Sequence, residues 1–488
     1  MAVDYDLVIL GGSAIARYAA AKAVQFKARV ALVEPDPEMV SALDTDAFYA
    51  HSVNQMGRMA QHLRRANERG IQWDGVDPSQ SSLSMQWPQG QTWTQLAAEV
   101  QAEARSLPLL AAQGVDVVLG QGEFSPRPSL TVEANGRSLH ARSYLIATGS
   151  RPAIPAIEGL AAVNYLTLAS LSTANWQTLP EKLIIIGAEP AGVELAQAFA
   201  RLGSQVTLII NHSQLLPCED AEAAYLIQAQ LEAEGIRVLT QTAVIQTKRL
   251  GHKTWVQAGN QALEADAIVL ATGHRPWVES LNLEGVGVKW HRRGIQVNRQ
   301  LQTVHPRIYA CGAVLGGYGF PQLARHEVDV ALRNALFLPT RSVNYATVPW
   351  AVLTDPELAR VGLTEAQARR NYGDEIMVLR YPFKALAKAQ LRDETTGLCK
   401  LIVKPTGEIL GAHLVGGDMS EFIGTIALAM QHTLSMDAIA NLQTVSPSFS
   451  EVLSHAAADW QQQRRDRHPF WRDCLENWFN LRRSWSRK

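Results

Sequence analysis

The apolar positions change period several times along the chain, and the first change is the most informative. Tyr5 to Leu10 form a run, apolar except at Asp6, that stops at Gly11-Gly12. Apolar residues then return at helical spacing from Ala16 to Phe26, and the stretch from Arg29 to Val33 is apolar after its first residue, before Glu34. A run, a glycine turn, a 3.6-residue period and a second run predict strand, tight turn, helix and strand, a βαβ unit. Its first turn offers bare backbone amides and a helix amino end to a pyrophosphate, and Glu34 stands where an acid would accept hydrogen bonds from a ribose. The G-x-G-x-x-G template falls on Gly11, Ser13 and Ala16, so by itself the pattern serves a structural βαβ unit equally well.

Beyond Glu34 the chain is polar and irregular, and helical spacing resumes near Met56 and again over residues 92–113. Short strands are expected at Val115 to Leu119 and Ser129 to Ala134, the latter followed by the turn Asn135-Gly136-Arg137. Tyr144 to Ile146 leads into Ala147-Thr148-Gly149-Ser150-Arg151-Pro152, and a proline-rich connection marks a domain boundary. The opening pattern then recurs. Lys182 to Ile186 is a strand, Gly187-Ala188-Glu189-Pro190-Ala191-Gly192 a turn, Val193 to Leu202 a helix, and Gln205 to Ile210 a strand. Asp266 to Leu270 runs into Ala271-Thr272-Gly273-His274-Arg275-Pro276, an echo of the earlier Ala-Thr-Gly block. Two such units, each followed by strand-ATG-x-R-P, are far more specific than one glycine motif.

A length of 488 residues calls for about three domains. The 45 basic and 46 acidic side chains nearly cancel, which excludes a general affinity for nucleic acid. Cys218, Cys311, Cys399 and Cys474 lie at least 75 residues apart, so neither a metal site nor a disulfide scaffold is expected. No apolar run approaches the length that crosses a bilayer, and the expected compartment is the cytoplasm.

The two ATG-x-R-P units, together with RIYACGAVLGG (307–317), TDPELARVGLTEAQA (354–368), GEILGAHLVGG (407–417) and SPSFSE (446–451), resemble the flavoprotein disulfide reductases, the group of dihydrolipoamide dehydrogenase, glutathione reductase and mercuric reductase. The resemblance runs from about residue 5 to residue 460. It implies an α/β chain with two Rossmann-like dinucleotide-binding domains, a carboxy-terminal α+β dimerisation domain and a basic, tryptophan-rich tail. The implied layout is an FAD-binding domain over 1–155 and 275–340, an NAD(P)-binding-like domain over 156–274, a homodimerisation domain over 341–460, and an amphipathic extension over 461–488. By the same resemblance Gly11, Gly12, Ser13, Ala14, Glu34, Gly122, Ala147, Thr148, Gly149, Gly312 and Ala313 would contact FAD. Gly187, Glu189, Gly192 and Gly273 would contact NAD(P)H, and Glu194, Ser446 and Glu451 fall at active-site positions of the family.

Several departures stand against this background. The family carries a CxxxxC dithiol soon after the ribose acid, but residues 35–60 contain no cysteine. Its catalytic histidine is replaced by Ser446, which leaves Glu451 without the imidazole it would orient. Ala313 stands where an Asp would hold a ribityl hydroxyl, a loss of about 1 to 3 kcal/mol. Glu189 puts a carboxylate in the second glycine turn, at a cost of roughly 3 kcal/mol against a phosphate about 5 Å away. Asn211 is neither an acid for NAD nor an arginine for NADP. Glu194 has no lysine partner in the segment around Tyr49 to Asn54, and a helix residue satisfied by backbone is the favoured reading. His326 and His455 are read as structural. These features point to an FAD oxidoreductase serving a quinone or small carrier, or else to a flavin-holding or empty dimeric scaffold.

Residues 460–488 lie outside the family pattern. They hold four of the twelve tryptophans, with eight basic against three acidic side chains. Trp471, Cys474, Leu475, Trp478, Leu481, Arg482 and Trp485 recur at steps of three and four, which predicts an amphipathic helix. Such a helix packs on its own domain or dimer partner, or else binds a membrane surface or a protein partner.

Overall fold

The computed structural model describes residues 3–35, 43–71, 85–103, 106–317, 319–466 and 469–485. The chain divides into two compact units, one of residues 1–216 and 231–345 and the other of residues 217–230 and 346–488.

The first unit contains both predicted βαβ repeats, each built into a five-stranded parallel sheet. One sheet has the order Ile308–Ala310, Ala141–Ile146, Tyr5–Leu10, Val30–Glu34, Asp116–Leu119. The other has the order Arg237–Leu239, Gln205–Ile209, Lys182–Ile186, Ala267–Leu270, Tyr165–Thr167. Their central strands are apolar on both faces because both faces are covered: in the first sheet Leu7 and Ile9 pack on helices, while Val8 and Leu10 pack with Phe124 and Val132 of a three-stranded antiparallel sheet, and in the second Ile184 and Ile186 pack with Val256 and Ala258 of another. Leu7, Val8, Ile9 and Leu10 are buried, and so are Leu183, Ile184, Ile185 and Ile186. The crossover helices start earlier than the apolar spacing suggests, at Ala14 and at Pro190, because Ser13 and Glu189 occupy the cap positions. The expected helix over 92–113 is two helices, Trp87–Glu103 and Leu107–Ala112, the second opening with Pro108 in its first turn. The stretch expected to be irregular up to Met56 is helical from Leu43, as part of one helix, Leu43–Glu68.

The repeats meet at their ATG-x-R-P blocks. Ser150–Pro152 pairs antiparallel with His274–Pro276, so the tail of one motif is hydrogen-bonded to the tail of the other. The bonds around this ribbon are two-fold related. Ala153 N donates to Gly273 O (2.8 Å) and Trp277 N to Gly149 O (3.1 Å). Thr148 Oγ1 donates to Trp277 O and Thr272 Oγ1 to Ala153 O, each over 2.7 Å.

The second unit is a five-stranded antiparallel sheet in the order Trp350–Val352, Glu357–Gly362, Ile409–Gly416, Leu398–Val403, Met377–Pro382, with helices Met419–Gln431 and Glu451–Asp466 against it. Residues 217–230 belong here because their acids neutralise buried cations of this sheet. Lys400 Nζ lies 2.8 Å from Asp220, 3.1 Å from Glu222 and 2.9 Å from Glu365. Arg360, stacked on Trp350, donates to Cys218 O (2.7 Å) and faces the buried Glu219. His413, 1 % exposed, donates through Nε2 to Leu363 O (3.0 Å), while its Nδ1 has no partner.

Protonating that Nδ1 would create a buried cation and an unmet donor, and burial aided by Arg360 lowers the imidazole pKa to about 4. The depressed folded-state value means that, as pH falls from about 6.5 to about 4, the unfolded chain takes up a proton that the folded chain refuses. Stability is therefore expected to fall by about 3 kcal/mol across that window. Urea titrations from pH 7 to pH 4 check this, with His413→Gln expected to flatten the dependence.

Candidate functional site

The first βαβ turn is shaped by one close approach. Gly11 has φ of +140°, and a Cβ on it would overlap the Ala147 carbonyl. The ATG backbone therefore lies directly against the turn, and only glycine permits this. Ser13 consolidates the contact: its Oγ accepts from Ala16 N (3.2 Å), capping the helix, and donates to Ala147 O (3.1 Å). The second repeat reproduces the arrangement, with Gly187 at φ of +120° against the Ala271 carbonyl.

Two openings flank the first turn. The larger, about 360 Å³, is lined in part by Ser13, Ala147, Gly149, Gly312 and Ala313. The smaller, about 30 Å³, is lined in part by Gly11, Gly12, Gly122 and Thr148. Of the eleven residues singled out for this cofactor, nine thus face one opening or the other. Ala14 is the first residue of the helix, and Glu34 ends its strand fully buried.

Glu34 is not bare. Arg17, one turn into the helix, reaches back with Nη2 2.5 Å from Oε1 and Nε 3.1 Å from Oε2. A fully buried carboxylate needs such a counter-charge. Near the second turn, Glu189 precedes the helix Pro190–Leu202 and pairs with Nδ1 of His274 (2.5 Å). The carboxylate expected to face a phosphate at this turn is thus hydrogen-bonded to an imidazole. Gly192 packs the same helix against Ala271, and Gly273 supplies a carbonyl to the ribbon between repeats.

Glu194 also has a partner. The buried carboxylate lies 2.9 Å from Nδ1 of His51, on the helix Leu43–Glu68. The expected backbone-satisfied helix residue is thus an acid–imidazole pair, made by a segment whose register the sequence left open. Ser446 is exposed in the second unit. There Glu451 accepts from Ser448 N (2.8 Å), and that bond lowers its pKa. His455 stacks on Tyr381 and His326 accepts from Asn344 N.

The larger cavity carries three residues the sequence reading missed: Cys311, Glu327 and Tyr345. Cys311 is fully buried, and burial together with the Glu327 charge pushes its thiol pKa well up, away from nucleophilic use. Glu327 had a legible signal. In the helix Pro321–Leu336 it shares the buried stripe of Ala324, Val328 and Ala331, a position where a carboxylate is costly without donors.

Comparison with known proteins matches this geometry to a family. The pyridine nucleotide-disulphide oxidoreductase model matches residues 5–333, and the corresponding dimerisation domain matches residues 348–457. The chain belongs to the pyridine nucleotide-disulphide oxidoreductases. It is 32 % identical to a mercuric reductase of Staphylococcus aureus, over 93 % of this chain and 82 % of that one. It is 31 % identical to a dihydrolipoyl dehydrogenase of Bacillus subtilis strain 168, over 92 % and 97 %. Among solved structures, the Cu(II) complex of the HOCl-induced flavoprotein disulfide reductase RclA from Escherichia coli superposes with a TM-score of 0.79 and 26 % identity, covering 94 % of this chain and 99 % of that one. FAD and NAD(P)H are the cofactors of this family, and the dimerisation domain supports a homodimer. The residues fit a flavin dinucleotide: a glycine turn at a helix amino end, an acid at the end of the second strand, and a cavity of ligand-binding size. Among the described residues no helix is long and apolar enough to cross a membrane, and no cluster of three or more His, Cys, Asp or Glu is placed to hold a metal.

Replacing Arg17 by Met leaves Glu34 buried without its counter-charge. Denaturant unfolding of the cofactor-free variant is expected to show a loss of about 2 to 4 kcal/mol, at the lower side of what breaking a buried pair costs because Arg17 is partly exposed.

Proposed function

We propose that this chain is an FAD-dependent oxidoreductase that takes electrons from NAD(P)H and delivers them to a quinone or small carrier, without reducing disulfides through a dithiol. The observation that carries the reading is the pairing of an intact glycine turn and cavity with a segment, residues 35–60, that contains no cysteine. Cys311 and Cys399 are buried, Cys218 and Cys474 exposed, and all four are free thiols. Thiolate attack on a disulfide needs an accessible thiol beside the cofactor and a second thiol to resolve it. Ser446 adds to the case, since serine cannot hold the proton that the family's histidine manages.

When bound, FAD supplies two-electron acceptance and one-electron release. The protein's own residues do the rest. The turn Gly11-Gly12-Ser13 sets the helix amino end against a pyrophosphate, and Glu34, held by Arg17, ends its strand at the position where the family's acid meets a ribose. The Glu194–His51 pair sets a buried carboxylate against a partly exposed imidazole where the family has its glutamate–lysine pair. The overall reaction balances as NAD(P)H, a quinone and a proton giving NAD(P)⁺ and a hydroquinone.

Purified protein is expected to be yellow, to release FAD on denaturation, to bleach anaerobically with NADH or NADPH, and to recover its colour with a benzoquinone but not with lipoamide or glutathione disulfide. Turnover of a disulfide substrate at family-like rates would overturn the reading. A second reading, a flavin-holding dimeric scaffold, is favoured by Glu189 in the second turn together with Asn211, and bound flavin that no pyridine nucleotide bleaches would support it.

The tail serves contact in either case. Pro469–Trp485 is a helix on which Leu475, Trp478, Phe479, Leu481 and Trp485 are exposed beside Arg482 and Arg483, a composition suited to an anionic headgroup boundary. Deleting residues 466–488 is expected to leave the unfolding transition and the dimer intact and to abolish co-flotation with vesicles containing phosphatidylglycerol. Loss of the dimer would instead assign the helix to the subunit interface.

A further inference from the structure

Glu327 is the unexplained group of the larger cavity. It is 7 % exposed, lines that cavity, and sits on the inward stripe of the helix Pro321–Leu336. Its contacts hold the carboxylate in one orientation: Gly312 N donates to Oε2 over 2.6 Å, and the Tyr345 hydroxyl donates to Oε1 over 2.7 Å. Each oxygen thus meets one protein donor and retains a second lone-pair direction. The residue next to Gly312 is Ala313, on the wall of the same cavity, where the resemblance places an Asp. A carboxylate missing from residue 313 therefore has a counterpart a few ångströms away, entering from the neighbouring helix and bound to the backbone of residue 312.

We propose that Glu327 is the hydroxyl acceptor for the ribityl chain of the bound flavin, taking the role that Ala313 has lost. The assignment rests on the reading that this chain binds FAD. The geometry favours polyol recognition because the carboxylate is anchored by two donors and faces a cavity of about 360 Å³. Tyr345 and Gly312 act as positioning groups that fix the rotamer.

The test is reconstitution of the apoprotein, read by flavin fluorescence quenching. Wild type is expected to bind FAD about ten- to a hundredfold tighter than an FAD analogue with a deoxygenated ribityl chain, the range for a hydrogen bond to a charged group. Glu327→Gln is expected to weaken FAD by a similar factor while leaving the deoxy analogue within about threefold. Ala313→Asp in the Glu327→Ala background is expected to recover FAD affinity. Equal wild-type affinity for FAD and its deoxy analogue overturns the assignment and needs no variant to fold. Unchanged or tighter FAD binding by Glu327→Gln also overturns it, making Glu327 a cap on Gly312 alone. Wild type that takes up no flavin refutes the cofactor reading itself, a result distinct from either.

Discussion

The first unit depends on the ribbon where its two repeats join. Ser150–Pro152 and His274–Pro276 pair with each other, and four flanking hydrogen bonds repeat on either side of a local two-fold relation. Backbone groups of both ATG turns that would otherwise be left facing the cavities are satisfied there. Each turn is then free to press against its own glycine, Gly11 below Ala147 and Gly187 below Ala271.

Around this frame the unit holds buried or partly buried carboxylates and answers each one with a neighbouring group. Glu34 meets Arg17, Glu189 meets His274, Glu194 meets His51, and Glu327 meets a backbone amide and a phenol. Burial of an acid without donors costs several kcal/mol, so these pairings are conditions of folding as much as features of a site. The second unit follows the same rule with reversed sign, where Lys400 and Arg360 recruit Glu219, Asp220 and Glu222 from a distant stretch of chain. Charge placement of this kind explains why a segment so early in sequence belongs to the carboxy-terminal sheet.

Much of the fold was legible in the sequence, because continuous apolar strands and period-3.6 helices express burial on fixed faces. The repeated ATG-x-R-P blocks were visible as well, but their mutual pairing was not, since contacts between segments over a hundred residues apart leave no local period. The candidate site was half legible. Glycine turns and the terminal acid announce themselves through backbone requirements. The partners of Glu34, Glu194 and Glu189 do not, because an arginine or histidine on a helix reads as surface until its neighbour is known. Glu327 is the instructive miss: a charged residue at an apolar-stripe position is a conflict between composition and period, and the conflict marked the cavity wall.

The strand order carries a consequence for how the protein is made. The edge strand Ile308–Ala310 completes the first sheet by pairing with Tyr144 to Ile146, long after Tyr5–Leu10 has been translated. A nascent chain must therefore leave the ribosome for some three hundred residues before that sheet has all its strands, with one apolar edge awaiting closure. Pairing across so long a stretch of chain makes completion of this sheet a late, long-range step of folding.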